Sequence, residues 1–254
     1  MTLIKSSSNN KFKFYKSLLE KKYRDKEKIF LVEGPIVLEE ALKIYKPIYM
    51  AIEEEKQFEN LKKDIEKISH DYYSKSLFSS LSSTVNSQGI IAYFKKFERE
   101  FKEKEGKYIY LDGIKDPGNL GGIIRSADAF NLNGVILSKE TVDLYNPKTV
   151  RSSMASIFRI PIYQDVGGDI LYKNRDNFKI VTTSLNNSTS SREYKFEKNT
   201  ILIIGNEAHG IGEDLMKLSD DNIVIPISRQ VDSLNANVAA SILMYEMTKW
   251  KRLF

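Results

Sequence analysis

The chain of 254 residues contains no cysteine and only two histidines. The absence of cysteine excludes disulfide bonds and thiolate metal sites, and it favours a reducing compartment. His70 and His209 lie far apart in the sequence, so we expect no histidine-based metal centre and no bound metal. No stretch approaches the roughly 18 uninterrupted apolar residues of a membrane span, and the first residues lack the apolar core of a signal peptide. These absences predict a soluble, cytoplasmic protein that does not enter a membrane.

What the sequence does contain is a concentration of positive charge near its start. The whole chain has a net charge of +5, yet residues 1–28 hold nine lysines and arginines against three acidic residues. Phe12, Phe14 and Tyr15 lie between these basic residues, and such a mixture is typical of an arm that binds a polyanion. A solvated, lysine-rich helix is the simpler interpretation of the segment alone. The choice between this helix and a polyanion-binding arm therefore depends on the rest of the chain.

The remaining sequence divides into two regions, as the length of the chain favours. Residues 29–97 combine short apolar runs with helical patterns, which predicts a small α/β domain. Residues 98–106 are mostly charged and end in glycine, which predicts a linker. Within residues 107–254, β-branched runs alternate with helical patterns, as expected of parallel strands covered by helices on both faces. We expect the helices of this second domain at residues 119–131, 147–156, 213–219 and 235–252.

The first motif of the second domain is “IKDPGNLGGIIRSADAF”, residues 114–130. Its Pro-Gly pair predicts a turn, and Asn119 stands just before the predicted helix. The two glycines after Asn119 leave room for an anion or a closely approaching ligand, and Arg125 is near enough to reach back toward the loop. The alternative is an N-capped helix with a surface arginine. The stretch lacks both Gly-Lys-Ser/Thr and the spacing G-x-G-x-x-G, which argues against a nucleoside-triphosphate or nicotinamide enzyme.

Two further motifs follow predicted strands. In “ILIIGNEAHGIGEDL” a strand leads into Gly205 and Glu207, and an acid at the carboxyl end of a parallel strand lies where open α/β sheets bind ligands. In “IVIPISRQVDSLNANVAASILMYE” a strand and a loop lead to Ser233 and Asn235, which open a helix with several small residues. The alternative for both motifs is a loop with helix-capping residues, Ser233 among them. His209, alone beside a glycine, is interpreted as a surface residue.

Four stretches of the second domain together carry a family resemblance. They are “DPGNLGGIIRSADAF”, “NPKTVRSSMASIFRIPI”, “LIIGNEAHGI” and “IPISRQVDSLNANVAASILMYE”. In order and spacing they resemble the SpoU (TrmH-like) RNA 2′-O-ribose methyltransferases of the SPOUT superfamily, over residues 107–254. More weakly, “FLVEGPIVLEEAL” resembles the substrate-binding domain of rRNA-directed members. Two features depart from the family pattern: Ala236-Asn237 replaces the usual Val-Ser, and “SRQVDSLN” lacks a usual glycine.

The resemblance implies a fold and a cofactor. The expected architecture is α/β: a C-terminal SPOUT α/β-knot, with a parallel sheet and a deep trefoil knot, preceded by a small α/β RNA-binding domain resembling ribosomal proteins. Knotted chains are rare, and no periodicity in the sequence indicates one. In the family the knot binds S-adenosylmethionine, largely through backbone contacts. Transferred position by position, these contacts fall on Leu185, Gly205, Ile225 and Leu234.

The resemblance also implies the reaction, methylation of a ribose 2′-hydroxyl in RNA. This hydroxyl is a weak nucleophile near neutral pH, so it must lose its proton as the methyl group moves from sulfur to oxygen. The base proposed for the family is the arginine of the first motif, here Arg125. Because a guanidinium holds its proton firmly, we expect Arg125 to grip the adjacent phosphate and organise proton removal. The residues expected to position the ribose, the arginine and the loops are Asn119, Glu207, Ser233 and Asn235.

The expected partners are RNA and a second copy of the chain. Family members are homodimers that pack through the knot region, and Asn146 and Arg151 occupy the positions expected to contact RNA across the interface. On an RNA enzyme the basic N-terminal segment becomes an RNA-binding arm, with Lys11, Lys13 and Lys16 as contacts. The additional N-terminal domain favours large-subunit (23S-type) rRNA over tRNA, by analogy within the family. A tRNA 2′-O-methyltransferase and a non-catalytic RNA-binding assembly factor stay open as alternatives.

Overall fold

The computed structural model of the protein describes residues 2–184, 187–228 and 230–249. The strands, in chain order, are β1 Leu3–Ile4, β2 Ile29–Glu33, β3 Tyr49–Glu53, β4 His70–Tyr73, β5 Ile90–Lys95, β6 Lys107–Leu111, β7 Gly134–Leu137, β8 Ile162–Tyr163, β9 Lys179–Thr183, β10 Thr189–Ser190, β11 Thr200–Ile204 and β12 Asp221–Val224. The helices, in chain order, are α1 Asn10–Ser17, α2 Lys21–Glu27, α3 Pro35–Leu42, α4 Lys62–Ile65, α5 Lys75–Leu81, α6 Pro117–Ala129, α7 Pro147–Ser152, α8 Ser156–Arg159, α9 Gly168–Lys173, α10 Glu213–Met216 and α11 Ala236–Thr248.

These elements form two compact units. The first unit comprises Met1–Phe97 and Asp143–Phe158, and the second comprises Glu98–Val142 and Arg159–Phe254. The division differs from the expected one, because residues 143–158 fold with the N-terminal unit although the sequence places them inside the second region. Aromatic packing explains this: the ring of Phe30 on β2 lies 4.8 Å from that of Tyr145 and 5.9 Å from that of Phe158.

A five-stranded mixed sheet of order β1-β4-β3-β5-β2 forms the centre of the first unit. β4 pairs in parallel with β1 and β3, while β5 runs antiparallel to β3 and β2. The residues of β2 and β3 are buried throughout, as expected of short apolar runs in the interior of an α/β unit. The predicted α/β character of this region is therefore confirmed.

The basic N-terminal segment is part of this unit and is not a separate arm. β1 pairs with β4, and α1 and α2 follow β1 in the chain. Phe12 and Leu18 are buried in the same core as Tyr49 and Phe78. Except for Phe14, which is exposed, the aromatic residues between the lysines thus contact the core, while most of the lysines face solvent, as in an amphipathic surface helix. The predicted arm of residues 1–28 is corrected to a folded edge of the first unit.

One basic residue of this segment, Arg24, is buried. Its guanidinium pairs with Asp143 at 2.7 Å, and Nη1 donates to the backbone oxygens of Leu18 at 2.9 Å and Leu19 at 2.6 Å. A buried charge is tolerated when it is paired and hydrogen-bonded. Arg24 therefore belongs to the folding of the unit, and it ties the segment that begins at Asp143 to the N-terminal residues.

A seven-stranded sheet of order β10-β12-β9-β11-β6-β7-β8 forms the second unit. All pairings among its described strands are parallel, which confirms the prediction from the β-branched runs. Phe101, in the stretch predicted to be a linker, is buried against the rings of Tyr108, Tyr163 and Phe178. The charged stretch is therefore anchored to this unit by its one aromatic residue.

The predicted helices of the second region are present, with altered bounds. α6 and α11 have 13 residues each and lie close to the predicted positions. The stretch predicted as one helix at 147–156 is divided into α7 and α8, because Met154 and Ala155 have φ angles of 48° and 67°, and the left-handed region interrupts a right-handed helix. Among the described helices, none has the length and apolar character needed to cross a bilayer. The trefoil knot stays a prediction.

Candidate active site

A pocket of about 620 Å³ opens at the carboxyl ends of β9, β11 and β12. Its walls are the residues that follow these strands together with the start of α11. Three of the predicted cofactor contacts, Gly205, Ile225 and Leu234, line it together. The fourth, Leu185, lies outside the described residues. The volume and the position at the strand ends are those of small-molecule sites in parallel α/β sheets.

The turn after β11 is held tightly. A Cβ atom at Gly205 would overlap the backbone of Gly210 and Ile211, so glycine is required where the two backbone segments meet. Asn206 and Gly210 exchange two backbone hydrogen bonds of 2.9 Å, and Nδ2 of Asn206 donates to the backbone oxygen of Gly113 at 2.7 Å. The turn that carries Glu207 is therefore fixed by hydrogen bonds within itself and to the loop before α6.

Polar residues of the three motifs meet beside the pocket. Nδ2 of Asn119 donates to Oε1 of Glu207 at 2.7 Å, and Nδ2 of Asn235 donates to Oδ1 of Asn119 at 3.0 Å. Glu207 and Asn235 also line the pocket. We call Asn119, Glu207 and Asn235 the amide–carboxylate junction. It brings together residues that are separated by 88 and 116 positions in the chain.

Asn235, and not Ser233, caps α11. Oδ1 of Asn235 accepts hydrogen bonds from the backbone N–H groups of Asn237 at 3.0 Å and Val238 at 3.4 Å, which satisfies donors that a helix leaves unpaired at its start. Ser233 is exposed and lines the pocket. The cap is thus provided by the asparagine of the junction, and the serine hydroxyl is available to a ligand.

The first motif is a helix and not a glycine loop. α6 begins at Pro117, and Oδ1 of the N-cap residue Asp116 accepts from the backbone N–H of Asn119 at 2.8 Å. Asn119 therefore lies in the first turn of the helix and not before it. Gly122 faces α11, where an added Cβ would lie 2.5 Å from Nδ2 of Asn237. This glycine permits close packing of two helices, which corrects its expected role of leaving room for a ligand.

Arg125 is exposed on α6. Within the part of the chain that the structure describes, its guanidinium has no hydrogen bond or ion pair. The structure therefore joins Asn119, Glu207 and Asn235 directly, but it does not link Arg125 to them. A guanidinium without an internal partner, on the helix that carries Asn119, is available to an anionic ligand.

The lysines predicted to contact RNA lie on α1 in the first unit. Lys13 and Lys16 are exposed. The ammonium group of Lys11 pairs with the buried carboxylate of Asp71 at 2.6 Å. The charge of Lys11 is thus compensated within the protein, whereas Lys13 and Lys16 present theirs to solvent.

Asn146 and Arg151 lie at the two ends of α7, also in the first unit. Oδ1 of Asn146 caps the helix by accepting from the backbone N–H of Lys148 at 2.9 Å. Nη1 of Arg151 donates to Oγ of Ser83 at 3.3 Å. Both side chains support the unit itself, and the guanidinium of Arg151 has further donors beyond this one bond.

Two polar residues that the sequence did not single out brace the site. Oδ2 of Asp112 accepts from the backbone N–H of Gly212 at 2.9 Å, and Asn206 forms the bond to Gly113. Asp112 comes directly after β6, as polar residues at the carboxyl ends of parallel strands commonly do in ligand sites. The rule that pointed to Glu207 would have found Asp112 as well. Across the described residues, no three acidic or histidine side chains are grouped as a metal site.

Comparison with known proteins shows similarity along nearly the whole chain. The model of the SpoU rRNA Methylase family matches residues 106–245, and that of the MRM3-like substrate binding domain matches residues 9–92. The 23S rRNA (guanosine(2553)-2′-O)-methyltransferase RlmP of Bacillus subtilis (strain 168) is 35% identical over 252 residues. That similarity covers 97% of this chain and 99% of the relative.

Solved structures resemble the fold over a similar extent. The AdoMet-bound rRNA methyltransferase from Sinorhizobium meliloti has a TM-score of 0.87 at 27% identity, and the match covers 97% of both chains. The SpoU methyltransferase AviRb from Streptomyces viridochromogenes has a TM-score of 0.84 at 25% identity. Its match covers 95% of this chain and 97% of that one.

Proposed function

The chain belongs to the SpoU rRNA Methylase family, and on that premise we propose that it transfers a methyl group from S-adenosylmethionine to a ribose 2′-hydroxyl of RNA. The proposed substrate is large-subunit rRNA of the 23S type. The full-length similarity to RlmP, whose name states 2′-O-methylation of a guanosine in 23S rRNA, supports this substrate. The observation that carries the proposal is the amide–carboxylate junction at the pocket wall, because it unites polar residues of all three motifs.

The pocket fits S-adenosylmethionine. Ile225 and Leu234 supply apolar surface, and the turn at Gly205 supplies backbone groups, a combination that suits a ligand with an aromatic base and polar edges. An AdoMet-bound structure among the similar proteins supports the same ligand here. When bound, S-adenosylmethionine supplies a methyl group on a positively charged sulfur. Leu185 is proposed as a further contact.

We assign Arg125 to the phosphate beside the reacting ribose. Its planar fork of N–H donors matches phosphate oxygens, and no partner among the described residues occupies it. Bound there, it fixes the nucleotide and places positive charge near the hydroxyl oxygen as that oxygen loses its proton. Ser233 and the amide–carboxylate junction then orient the ribose toward the pocket.

We propose that the first unit binds RNA outside the reacting nucleotide. The match to the MRM3-like substrate binding domain supports this role. Lys13 and Lys16 present positive charge on α1, and Asn146 and Arg151 are proposed as further contacts. Attraction between lysines and phosphates weakens as salt rises. We also propose that the reaction takes place in the cytoplasm.

A homodimer that packs through the second unit is part of the proposal. Val238, Ile242 and Tyr245 are exposed on α11, and their spacing places them on one face of the helix. An exposed apolar face of this kind is typical of a protein interface. Light scattering during gel filtration is expected to show twice the chain mass of 29.2 kDa, and a mass of one chain would contradict the dimer.

The test of the proposed function is methyl transfer from labelled S-adenosylmethionine to separated, unmodified rRNA and tRNA. We expect label in 23S-type rRNA, at a nucleotide whose 3′ phosphodiester resists alkaline cleavage because its 2′-oxygen is methylated. Label in tRNA alone would support the tRNA alternative. RNA binding without transfer to either RNA would support a non-catalytic assembly factor.

A further inference from the structure

The direction of the hydrogen bonds within the amide–carboxylate junction is set by α11. Oδ1 of Asn235 accepts from the backbone N–H groups of Asn237 and Val238, and an amide nitrogen cannot accept there. The nitrogen of Asn235 therefore faces Asn119, whose oxygen accepts the bond. The nitrogen of Asn119 is left to donate to Glu207. Backbone donors at one end thus determine the orientation of both amides.

This direction determines how Glu207 is held. Its Oε1 accepts the hydrogen bond from Nδ2 of Asn119. Oε2 has no hydrogen bond or ion pair among the described residues, and the side chain is exposed at the pocket wall. The bond from Asn206 to Gly113 braces the turn that carries it. The junction therefore holds the side chain of Glu207 by one oxygen and leaves the other without a partner among the described residues.

We propose that Oε2 of Glu207 accepts the proton of the ribose 2′-hydroxyl during methyl transfer, an inference that rests on the proposed function. The O–H bond breaks, the proton passes to Oε2, and the electron pair stays on the ribose oxygen. That oxygen forms the bond to the methyl carbon as the carbon–sulfur bond breaks and its electron pair returns to sulfur, which loses its positive charge. The carboxyl group then releases the proton to water.

Other groups at the site are less suited to this role. A guanidinium group is a poor proton acceptor, and that of Arg125 is assigned to the phosphate. The hydroxyl of Ser233 is as weak a base as the hydroxyl it would have to deprotonate. Asp232 is a second carboxylate in the pocket wall, but no hydrogen bond from the described residues orients it. A general base has to be positioned before its basicity matters, and Glu207 is the carboxylate of the pocket wall that a hydrogen bond orients.

Glu207→Gln tests the assignment because glutamine can preserve the junction. Its Oε1 accepts from Asn119, and its NH2 group replaces the open carboxylate oxygen, so an acceptor becomes a donor. In single-turnover assays on 23S-type rRNA we expect the rate constant near pH 7 to fall about 100- to 1000-fold. The residual rate is expected to rise roughly tenfold per pH unit, because hydroxide has to remove the proton, while the wild-type rate stays nearly constant.

Glu213→Gln makes the same change on an exposed glutamate of α10 that does not line the pocket, and it is expected to keep the wild-type rate. The affinity of Glu207→Gln for S-adenosylmethionine and its unfolding midpoint are expected to equal those of the wild type. A rate within about threefold of wild type would overturn the assignment. A loss of methyl-transfer rate in Asp232→Asn, without a loss in Glu207→Gln, would also overturn the assignment. Absence of transfer by the wild type to any RNA would overturn the proposed function itself.

Binding without a methyl donor gives a readout that does not depend on activity. RNA with a 2′-deoxynucleotide at the modified position cannot donate to Oε2 of Glu207. We expect the wild type to bind it roughly tenfold more weakly than the ribose RNA, as hydrogen bonds to charged groups imply. Glu207→Ala, which has no acceptor, is expected to bind the two RNAs equally. Equal binding of both RNAs by the wild type would contradict the proposal.

Discussion

In the first unit the guanidinium of Arg24 is buried against Asp143, whereas in the second unit that of Arg125 is exposed, with no ion-pair partner among the described residues. Both arginines lie in segments that the sequence assigned to RNA. Three internal acceptors, one carboxylate and two backbone oxygens, bind the two terminal nitrogens of Arg24. A charge already used by folding is not available to a ligand. The comparison shows that a charged residue is structural when partners inside the protein compensate its charge, and available for function when they do not.

The carboxylates of the two units differ in the same way. Asp71 in the first unit is buried and accepts from Lys11 at 2.6 Å, the backbone N–H of Thr2 at 2.8 Å and the hydroxyl of Tyr49 at 3.1 Å. Burial acts to raise its pKa, but the hydrogen bonds from Lys11 and Thr2 outweigh burial and lower the pKa below the ordinary value. Glu207 in the second unit is exposed and accepts one bond from the described residues. The first carboxylate is a folding element, and the second is open to substrate.

The largest effect is expected from Arg125→Ala. Removing the phosphate contact should lower methyl transfer about 1000-fold or more, while stability and S-adenosylmethionine affinity stay nearly unchanged because the side chain has no internal partner. Single-turnover assays measure the rate of methyl transfer, and calorimetric titration measures the affinity for S-adenosylmethionine. The control is Arg159→Ala, since Arg159 pairs with Asp128 at 2.7 Å in the same unit and its loss should leave transfer near wild type. A wild-type rate in Arg125→Ala would refute the assignment.

Arg24→Ala is expected to destabilise the first unit by about 3–5 kcal/mol, because it leaves the Asp143 carboxylate buried without its partner. Urea unfolding measures this loss. Lys22→Ala is the matched control, because Lys22 forms an exposed pair with Glu20, and the loss of such a solvent-screened pair should leave stability near that of the wild type. Similar stability of the two variants would contradict the claim that the buried pair of Arg24 and Asp143 stabilises the first unit more than an exposed pair does.

Asp71→Asn is expected to reduce stability near pH 7 by about 1–3 kcal/mol. Because folding lowers the pKa of Asp71, the carboxylate stabilises the fold fully above its unfolded pKa, and this contribution is lost as pH falls through the folded value. The difference between wild type and Asp71→Asn should therefore shrink below about pH 4. Thermal unfolding as a function of pH measures it, with Glu39→Gln, which is exposed on α3, as the control. A pH-independent difference would contradict this interpretation.

The smallest effect is expected from the exposed lysines. Neutralising Lys13 and Lys16 together by glutamine should weaken RNA binding severalfold and lower the slope of log affinity against log salt by about one to two. Glutamine at Lys62 and Lys63, exposed on α4, controls for a general loss of charge. Deleting residues 1–28 is a poorer test, because Phe12 and Leu18 belong to the core. Equal salt slopes for the two double variants would argue against an RNA contact on α1.

Much of the fold followed from local patterns. β-branched runs and the helical spacing between them predicted a parallel α/β unit, because both depend on residues close in the chain. The motifs pointed to Asn119, Glu207 and Asn235, which the structure joins by hydrogen bonds. Local patterns also indicated a polar residue after β11, Glu207. The same pattern is present after β6, where Asp112 follows the strand.

Other features could not be read from local patterns. The assignment of residues 143–158 to the first unit depends on aromatic packing around Phe30. The position of Gly122 against Asn237 depends on how closely α6 and α11 approach. The alternative interpretation of Ser233 as a helix cap is wrong, because Asn235 caps α11. Either residue type can cap a helix, and only backbone geometry shows which one does.

The amino-acid sequence is enough to predict the α/β class, the order of the motifs and the family, because these depend on periodicity and on short stretches of residues. Which charged residues find partners inside the protein depends on the tertiary structure. The partners of Arg24, Lys11 and Glu207 lie 119, 60 and 88 positions away. No local pattern brings such residues together. A charged group that is buried among several partners stabilises the fold, whereas an exposed group with acceptors or donors left unused stays available to a substrate.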